Sequence, residues 1–285
     1  MRSLKTVFAL ALLLSALPSL AANGRVECAA FRSKTLARPV RYCALLPPSF
    51  DSDPKRTYPV LYWLHGLGGS DQTFVDAGGW AMLEQLRNAG RIGEFVVITP
   101  DGDTTFYINS RDGRRPYEGF LIREFMPAME RHYRIRPGRE SRAISGVSMG
   151  GYGALHLAFA HPQLFGSVTA HSAALIDRVS PAILTGGGFR FLGPAFGDPV
   201  DVQYWEKNNP LRMAEHAESL SALKIYFDCG LQDDFGFDAA ARALDRVLTG
   251  RHIAHEYHLY RGHHDWPYVA EHLPASLEFH WKVFR

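Results

Sequence analysis

The chain has 285 residues, of which 46% are hydrophobic and 21% charged, with a formal net charge of +2. That length and apolar content suit one large globular unit, and the near balance of charge argues against a nucleic-acid partner. Thirteen histidines stand without an H-E-x-x-H or Cys/His ligand spacing, so the sequence supports no metal and no cofactor.

At the start, Arg2 and Lys5 precede an apolar run from Val7 to Leu17, and Pro18-Ser19-Leu20-Ala21-Ala22 follows. A basic flank, a short apolar stretch and small residues before a cut at Ala21 predict a signal peptide over 1–21. The run is shorter than the ~20 apolar residues of a membrane span, so no stable membrane insertion is expected. No lipobox precedes Cys28. The expectation is an exported protein, periplasmic or secreted, with 22–285 as a single domain. Cleavage removes Arg2 and Lys5 and no acidic residue, leaving 29 basic and 29 acidic side chains.

Two strand-like runs come next, 25–33 and 39–46, around a turn near Thr35-Leu36-Ala37. In such a hairpin, positions whose numbers sum to 71 lie opposite each other. Cys28 and Cys43 satisfy that sum, which predicts a cross-strand disulfide if their Cα atoms are within ~7 Å. The third cysteine, Cys229, is expected as a buried small hydrophobe.

Beyond the hairpin, apolar runs at 58–65, 94–100, 142–147, 166–171, 223–228 and 254–260 read as strands. Segments 80–89, 118–133, 149–160, 237–249 and 268–284 read as helices between or after them. Strands that alternate with helices and are apolar on both faces predict an α/β fold: a mostly parallel sheet, covered on both sides, with an N-terminal antiparallel hairpin. Such sheets gather chemistry in the loops beyond the strand C-termini. Five polar or glycine-rich loops fall there, beginning at His65, Pro100, Ser148, Asp228 and Arg261.

Gly146-Val147-Ser148-Met149-Gly150 fits the G-x-S-x-G nucleophile elbow, where a strand turns sharply into a helix and lifts a serine hydroxyl off the sheet. Cβ atoms at 146 and 150 would collide with the neighbouring strand and helix. A serine hydroxyl needs a base, and the base needs a third group to fix its tautomer. An acidic cluster and a histidine pair follow in the order Ser, acid, His. Asp233 is the favoured acid with Asp234 its competitor, and His264 is favoured over His263 as base. Oxyanion donors are expected from the Met149 N–H and, in the His65–Gly69 loop, the Leu67 N–H.

These segments resemble the putative esterase family of α/β-hydrolases, which includes esterase D/S-formylglutathione hydrolase, feruloyl esterases and mycolyltransferases. The resemblance runs from Phe31-Arg32-Ser33-Lys34-Thr35-Leu36 and Leu46-Pro47-Pro48-Ser49-Phe50 through Tyr62-Trp63-Leu64-His65-Gly66, Pro100-Asp101-Gly102 and the elbow. It continues to Asp228-Cys229-Gly230-Leu231-Gln232-Asp233 and Gly262-His263-His264-Asp265-Trp266. It implies an α/β-hydrolase fold with Ser148 as nucleophile, Asp233 as acid, His264 as base, and Leu67 and Met149 as oxyanion donors. One departure stands out: Asp103-Thr104-Thr105-Phe106-Tyr107 replaces the Ser-Trp-Tyr-like run of many members, so the resemblance implies a reaction rather than a substrate.

The expected partner is a small-molecule ester, cleaved by acyl transfer to Ser148 and then to water. Phe106, Tyr107 and Trp266 are candidates for the pocket, and the glycine-rich aromatic stretch 186–197 is either a cap or a loop packed on the core. Two alternatives remain at this stage: acyl transfer to a sugar in place of water, and a non-catalytic binding protein built on the same fold.

Overall fold

A computed structural model describes residues 24–178 and 191–285, so the signal peptide expected over 1–21 and the first part of the 186–197 stretch lie outside the described residues. Eight strands form one sheet: β1 (Arg25–Ser33), β2 (Arg38–Leu46), β3 (Val60–Leu64), β4 (Val96–Pro100), β5 (Arg142–Val147), β6 (Ser167–His171), β7 (Lys224–Gly230) and β8 (His255–Tyr260). Their spatial order is β1-β2-β4-β3-β5-β6-β7-β8. The hairpin β1–β2 is antiparallel, β2 joins β4 antiparallel, and every later pairing is parallel. This is the α/β-hydrolase arrangement.

The hairpin register pairs Arg25 with Leu46 and Cys28 with Cys43. A disulfide joins those cysteines, with Cα atoms 4.0 Å apart.

Successive residues of the central strands serve opposite faces. On β3, Leu61 and Trp63 belong to one buried cluster, and Val60, Tyr62 and Leu64 to the other. The first face is covered by α1 (Gly79–Asn88) through Leu83 and Leu86, and by the final helix through Leu273 and Leu277. The second is covered by α2 (the helical turns Tyr117–Phe120 and Met126–His132 with the π turn between them), α3 (Met149–Ala160) and α6 (Phe237–Gly250). Of the twelve residues of α3 only His156 is polar, and every residue but Ala160 is buried. A helix apolar on every side belongs inside the protein, and its packing against β5 fixes the direction of the elbow.

The segment expected as one helix over 118–133 is interrupted. Tyr117–Phe120 and Met126–His132 are α-helical, and a π turn at Leu121–Phe125 joins them into α2. The wider turn lets Phe120, Leu121 and Phe125 all remain in the core. Two further helices, α4 (Val202–Asn208) and α5 (Pro210–His216), were not anticipated. The Asp201 and Asn209 side chains cap them, accepting from the Tyr204 and Leu211 N–H groups. The last helix, α7 (Trp266–Phe284), begins at the Asp265 cap, whose carboxylate accepts from the Tyr268 N–H.

Candidate active site

The elbow is built by close approach. A Cβ on Gly146 would lie 2.3 Å from the Gly150 carbonyl oxygen, and one on Gly150 would lie 2.0 Å from that of Leu64. Neither position tolerates a side chain. Ser148 itself has φ 56° and ψ −117°, a conformation that costs of order 1–3 kcal/mol and is held by its surroundings. Its N–H donates to His171 O at 3.0 Å, and its carbonyl accepts from the Tyr152 and Ala174 N–H groups, both at 2.9 Å. The chain just beyond β6 thus clamps the serine backbone from both ends.

Three loops bring the acid, the imidazole and the hydroxyl into one line. His264 Nε2 lies 2.9 Å from Ser148 Oγ, and its Nδ1 lies 2.7 Å from Asp233 Oδ2. An ionised carboxylate only accepts, so the proton sits on Nδ1 and the Nε2 lone pair faces the serine. Asp233 Oδ1 accepts from the Phe235 and Phe237 N–H groups at 3.0 and 3.2 Å, and the Cys229 thiol lies 3.6 Å from Oδ2. Burial works against ionisation of Asp233, yet its hydrogen bond to His264 and those two backbone N–H groups hold its carboxyl below the usual range.

The competing residues stand elsewhere. His263 Nδ1 pairs with Asp234 Oδ1 at 3.2 Å, and both side chains are exposed. Asp234 Oδ2 accepts the His264 backbone N–H at 3.0 Å, so this residue steadies the loop while Asp233 meets the ring. Cys229 is buried; burial and then the neighbouring Asp233 push its thiol pKa up, so it stays protonated.

Met149 follows the serine in the chain, and Leu67 lines the same cleft as Ser148. His65 orients the Leu67 N–H, a role that sequence reasoning missed. Its Nε2 accepts the Gly102 N–H at 2.8 Å, which leaves the proton on Nδ1 to bond Gly66 O, also at 2.8 Å. Gly66 O and Leu67 N belong to one rigid peptide plane, so fixing the carbonyl aims the N–H. The position of His65 at the end of an apolar strand, at the head of the glycine-rich run Gly66-Leu67-Gly68-Gly69, was the available signal.

A second buried pair lies beneath the site. His171 Nδ1 and Asp228 Oδ2 are 2.8 Å apart with both side chains fully enclosed, and they face each other across β6 and β7. Asp228 Oδ1 accepts from the Tyr268 hydroxyl at 2.8 Å, and His171 Nε2 meets Ser276 Oγ at 2.9 Å. Both partners lie on α7, so the pair ties that helix to the strand ends behind Ser148. Register alone brings His171 to Asp228, and single strands do not reveal register.

His264 lines one of two cavities in this region. An open cleft of about 200 Å³ is lined by Leu67, Thr73, Ser148, Ser172, His264 and Trp266. A larger one of about 480 Å³ is lined by Phe106, Ala174, Phe191, Trp205, Phe235 and Phe237, among others. Of the expected pocket residues, Trp266 thus borders the cleft and Phe106 the larger cavity. Tyr107 lines neither: it is fully enclosed, donates its hydroxyl to His65 O at 3.1 Å and packs against Gly102 and Gly153. It supports the His65 loop instead. In the described part of the 186–197 stretch, Phe196 is buried against Trp205, the core-packed alternative.

Among the described residues the one group of metal-capable side chains is Cys28, Cys43 and Asp71, and its two sulfurs are joined in the disulfide. No described helix is long and apolar enough to cross a membrane.

The family model described as "Putative esterase" matches residues 33–280. Esterase Rv1288 of Mycobacterium tuberculosis is 30% identical over 246 residues, covering 77% of this chain; the chain spans only about half of that relative, 51%. The acetyl esterase of Caldicellulosiruptor saccharolyticus is 28% identical over 265 residues, covering 89% of this chain and 97% of its own. A solved ferulic acid esterase superposes with a TM-score of 0.81 at 25% identity, over 92% of this chain and 99% of its own. An S-formylglutathione hydrolase from Agrobacterium tumefaciens superposes with a TM-score of 0.74 at 20% identity, over 94% and 98%, a likeness of fold.

Proposed function

This chain belongs to the putative esterase family of α/β-hydrolases, and on that premise we propose that it is an exported serine carboxylesterase acting on small acyl or aryl esters. The observation that carries the reading is the unbroken line from Asp233 through His264 to Ser148 Oγ, with bonds of 2.7 and 2.9 Å. His264 takes the serine proton as Oγ attacks the ester carbonyl. The oxygen of the tetrahedral adduct becomes negative beside the Leu67 and Met149 N–H groups, fixed dipoles that need no reorganisation. Collapse breaks the bond to the alcohol, which leaves with the proton held by His264. Water then gives its proton to the same nitrogen, attacks the acyl-enzyme and releases the acid and free Ser148.

Water rather than a sugar acceptor suits the cleft beside Ser148, which is open to solvent. A non-catalytic role would leave the strained serine conformation and the enclosed carboxylate without purpose. Export is supported by the signal-like segment 1–21 and by the Cys28–Cys43 disulfide, which belongs in an oxidising compartment. The test is burst kinetics of the mature protein on p-nitrophenyl acetate and butyrate, with Ser148→Ala beside it. A burst and turnover that both vanish in the variant are expected. Equal turnover in the variant would remove the mechanism.

A further inference from the structure

Ser172 brings to the reactive cleft a hydroxyl that the mechanism above does not use. It lines the cleft together with Ser148 and His264, yet the residue is only 1% exposed, and its Oγ has no hydrogen-bond partner among the described residues. The adjoining Cys229 thiol is a weak hydrogen-bonding group and does not pair with it. The other polar walls are already engaged. Thr73 Oγ1 accepts the Ser70 N–H at 2.8 Å, Asp265 Oδ1 accepts the Tyr268 N–H at 2.9 Å, and the Trp266 indole donates to Ala77 O at 2.6 Å. The rest of the lining is glycine, leucine and valine.

The chain on either side fixes this hydroxyl beside the nucleophile. His171, the residue before, takes the Ser148 N–H on its carbonyl at 3.0 Å, and Ala174 donates to the Ser148 carbonyl at 2.9 Å. Ser172 itself donates its N–H to Asp228 O at 2.8 Å and stands at φ 40°, a left-handed conformation held by its surroundings. Buried hydroxyls are seldom left unpaired, and one in the wall of a reactive cleft points to a partner that arrives during the reaction.

We propose that Ser172 positions the water that cleaves the acyl-enzyme. Once Ser148 Oγ is acylated it has no proton to share, and the His264 Nε2 that it faced is open to the cleft. A water there points one hydrogen at Nε2 and the other at Ser172 Oγ, the two polar partners that an enclosed water needs. Its oxygen lone pair is then left for the acyl carbon. The water oxygen bonds to that carbon as one proton passes to Nε2; collapse of the adduct breaks the bond to Ser148 Oγ, which takes the proton back. Ser172 keeps its own proton throughout. An alcohol has a single hydroxyl hydrogen, which goes to His264, so it gains nothing from Ser172. The residue therefore favours water over an alcohol as acceptor and leaves acylation unaffected. The inference rests on the serine-esterase reading above.

The test is stopped-flow kinetics on p-nitrophenyl butyrate for wild type, Ser172→Ala and Ser172→Gly, with methanol as a competing acceptor. Glycine suits φ 40° and alanine does not, so a loss shared by both belongs to the hydroxyl and not to the backbone. Both variants should deacylate roughly tenfold more slowly, with an acylation rate within twofold of wild type. The ratio of methyl butyrate to butyric acid should rise by about the same factor. A loss shared equally by acylation and deacylation, a loss confined to the alanine variant, or a product ratio within twofold of wild type overturns the role, even in a good esterase. A wild type that shows neither burst nor turnover overturns the esterase reading itself.

Discussion

At the scale of single residues, the proposed mechanism makes the serine, the imidazole and the carboxylate act as a unit, so their removal should not be additive. Ser148→Ala and His264→Asn are each expected to cost on the order of 10⁴-fold or more in kcat, and the double variant little beyond either. His263→Asn should stay within about threefold, because that ring pairs with Asp234 at the surface. Asp233→Asn leaves an amide that can donate to Nδ1, which favours the wrong tautomer and should cost roughly 10⁴-fold. Asp234→Asn loses only a partner for the His264 backbone N–H, and about a tenfold loss or less is expected. Steady-state kinetics on one p-nitrophenyl ester ranks the five single variants and the double. A deep loss in the His263 variant with a mild one in the His264 variant would reverse the base assignment. The elbow was legible because its spacing is local: both glycines sit two residues from the serine they accommodate. The choice between neighbours in the acid and base loops was a preference in the sequence, because successive side chains of a turn point different ways. Tyr107 was misread for the same reason. Its place in the loop is near the site, but its ring turns inward beneath His65.

At the scale of elements, strands and the longer helices were readable from apolar periodicity, and the hairpin register followed from the position of the turn, which sets Cys28 opposite Cys43. The π turn in α2 and the short helices α4 and α5 were not, because their apolar patterns are too brief to repeat. Asn209-Pro210, a cap followed by a proline, was the overlooked start signal. The hairpin also has a tether that no periodicity shows. Glu124, in the π turn, accepts from Ser33 Oγ and from the Lys34 and Thr35 N–H groups at 2.7–3.0 Å, gripping the β1–β2 turn. Partial burial opposes ionisation, but those donors prevail and lower its carboxyl pKa to about 2. A carboxylate with a depressed folded pKa contributes stability that is present above the ordinary value near 4.5 and is lost as pH falls towards 2. Glu124→Gln should therefore destabilise the fold at pH 7 by about 1–2 kcal/mol, at the low end for charged hydrogen bonds because the group is partly hydrated. The difference from wild type should shrink between pH 4.5 and 2. Urea midpoints measured across that window decide it, and a difference independent of pH would show that the charge contributes nothing.

At the scale of the whole molecule, the sheet separates what holds the fold from what reacts. The loops beyond the strand C-termini meet around Ser148, while the disulfide joins β1 and β2 at one edge of the sheet, on the far side of β4 and β3. One thread connects them. Asp71, just beyond the His65–Gly69 loop, is buried; its Oδ1 accepts from Arg41 Nε of β2 at 3.3 Å, its other carboxylate oxygen lies 3.5 Å from Cys43 Sγ, and its carbonyl accepts from Thr99 Oγ1 at 2.6 Å. That anchor is made to β4 as well as to the hairpin, so it should survive loss of the sulfur–sulfur bond. Cys28 and Cys43 are 15 residues apart, and closing a loop of that size stabilises a folded chain by about 3 kcal/mol in the chain-entropy account. The expected result for a Cys28→Ser/Cys43→Ser variant is a loss of about that size in chemical denaturation, with kcat and KM at 25 °C within twofold of the oxidised protein. A parallel fall in kcat would mean that the hairpin transmits strain through Asp71 to the Leu67 N–H, and that the compartment's redox state governs the reaction as well as the fold. Unchanged kinetics with reduced stability would make the disulfide a device for stability alone.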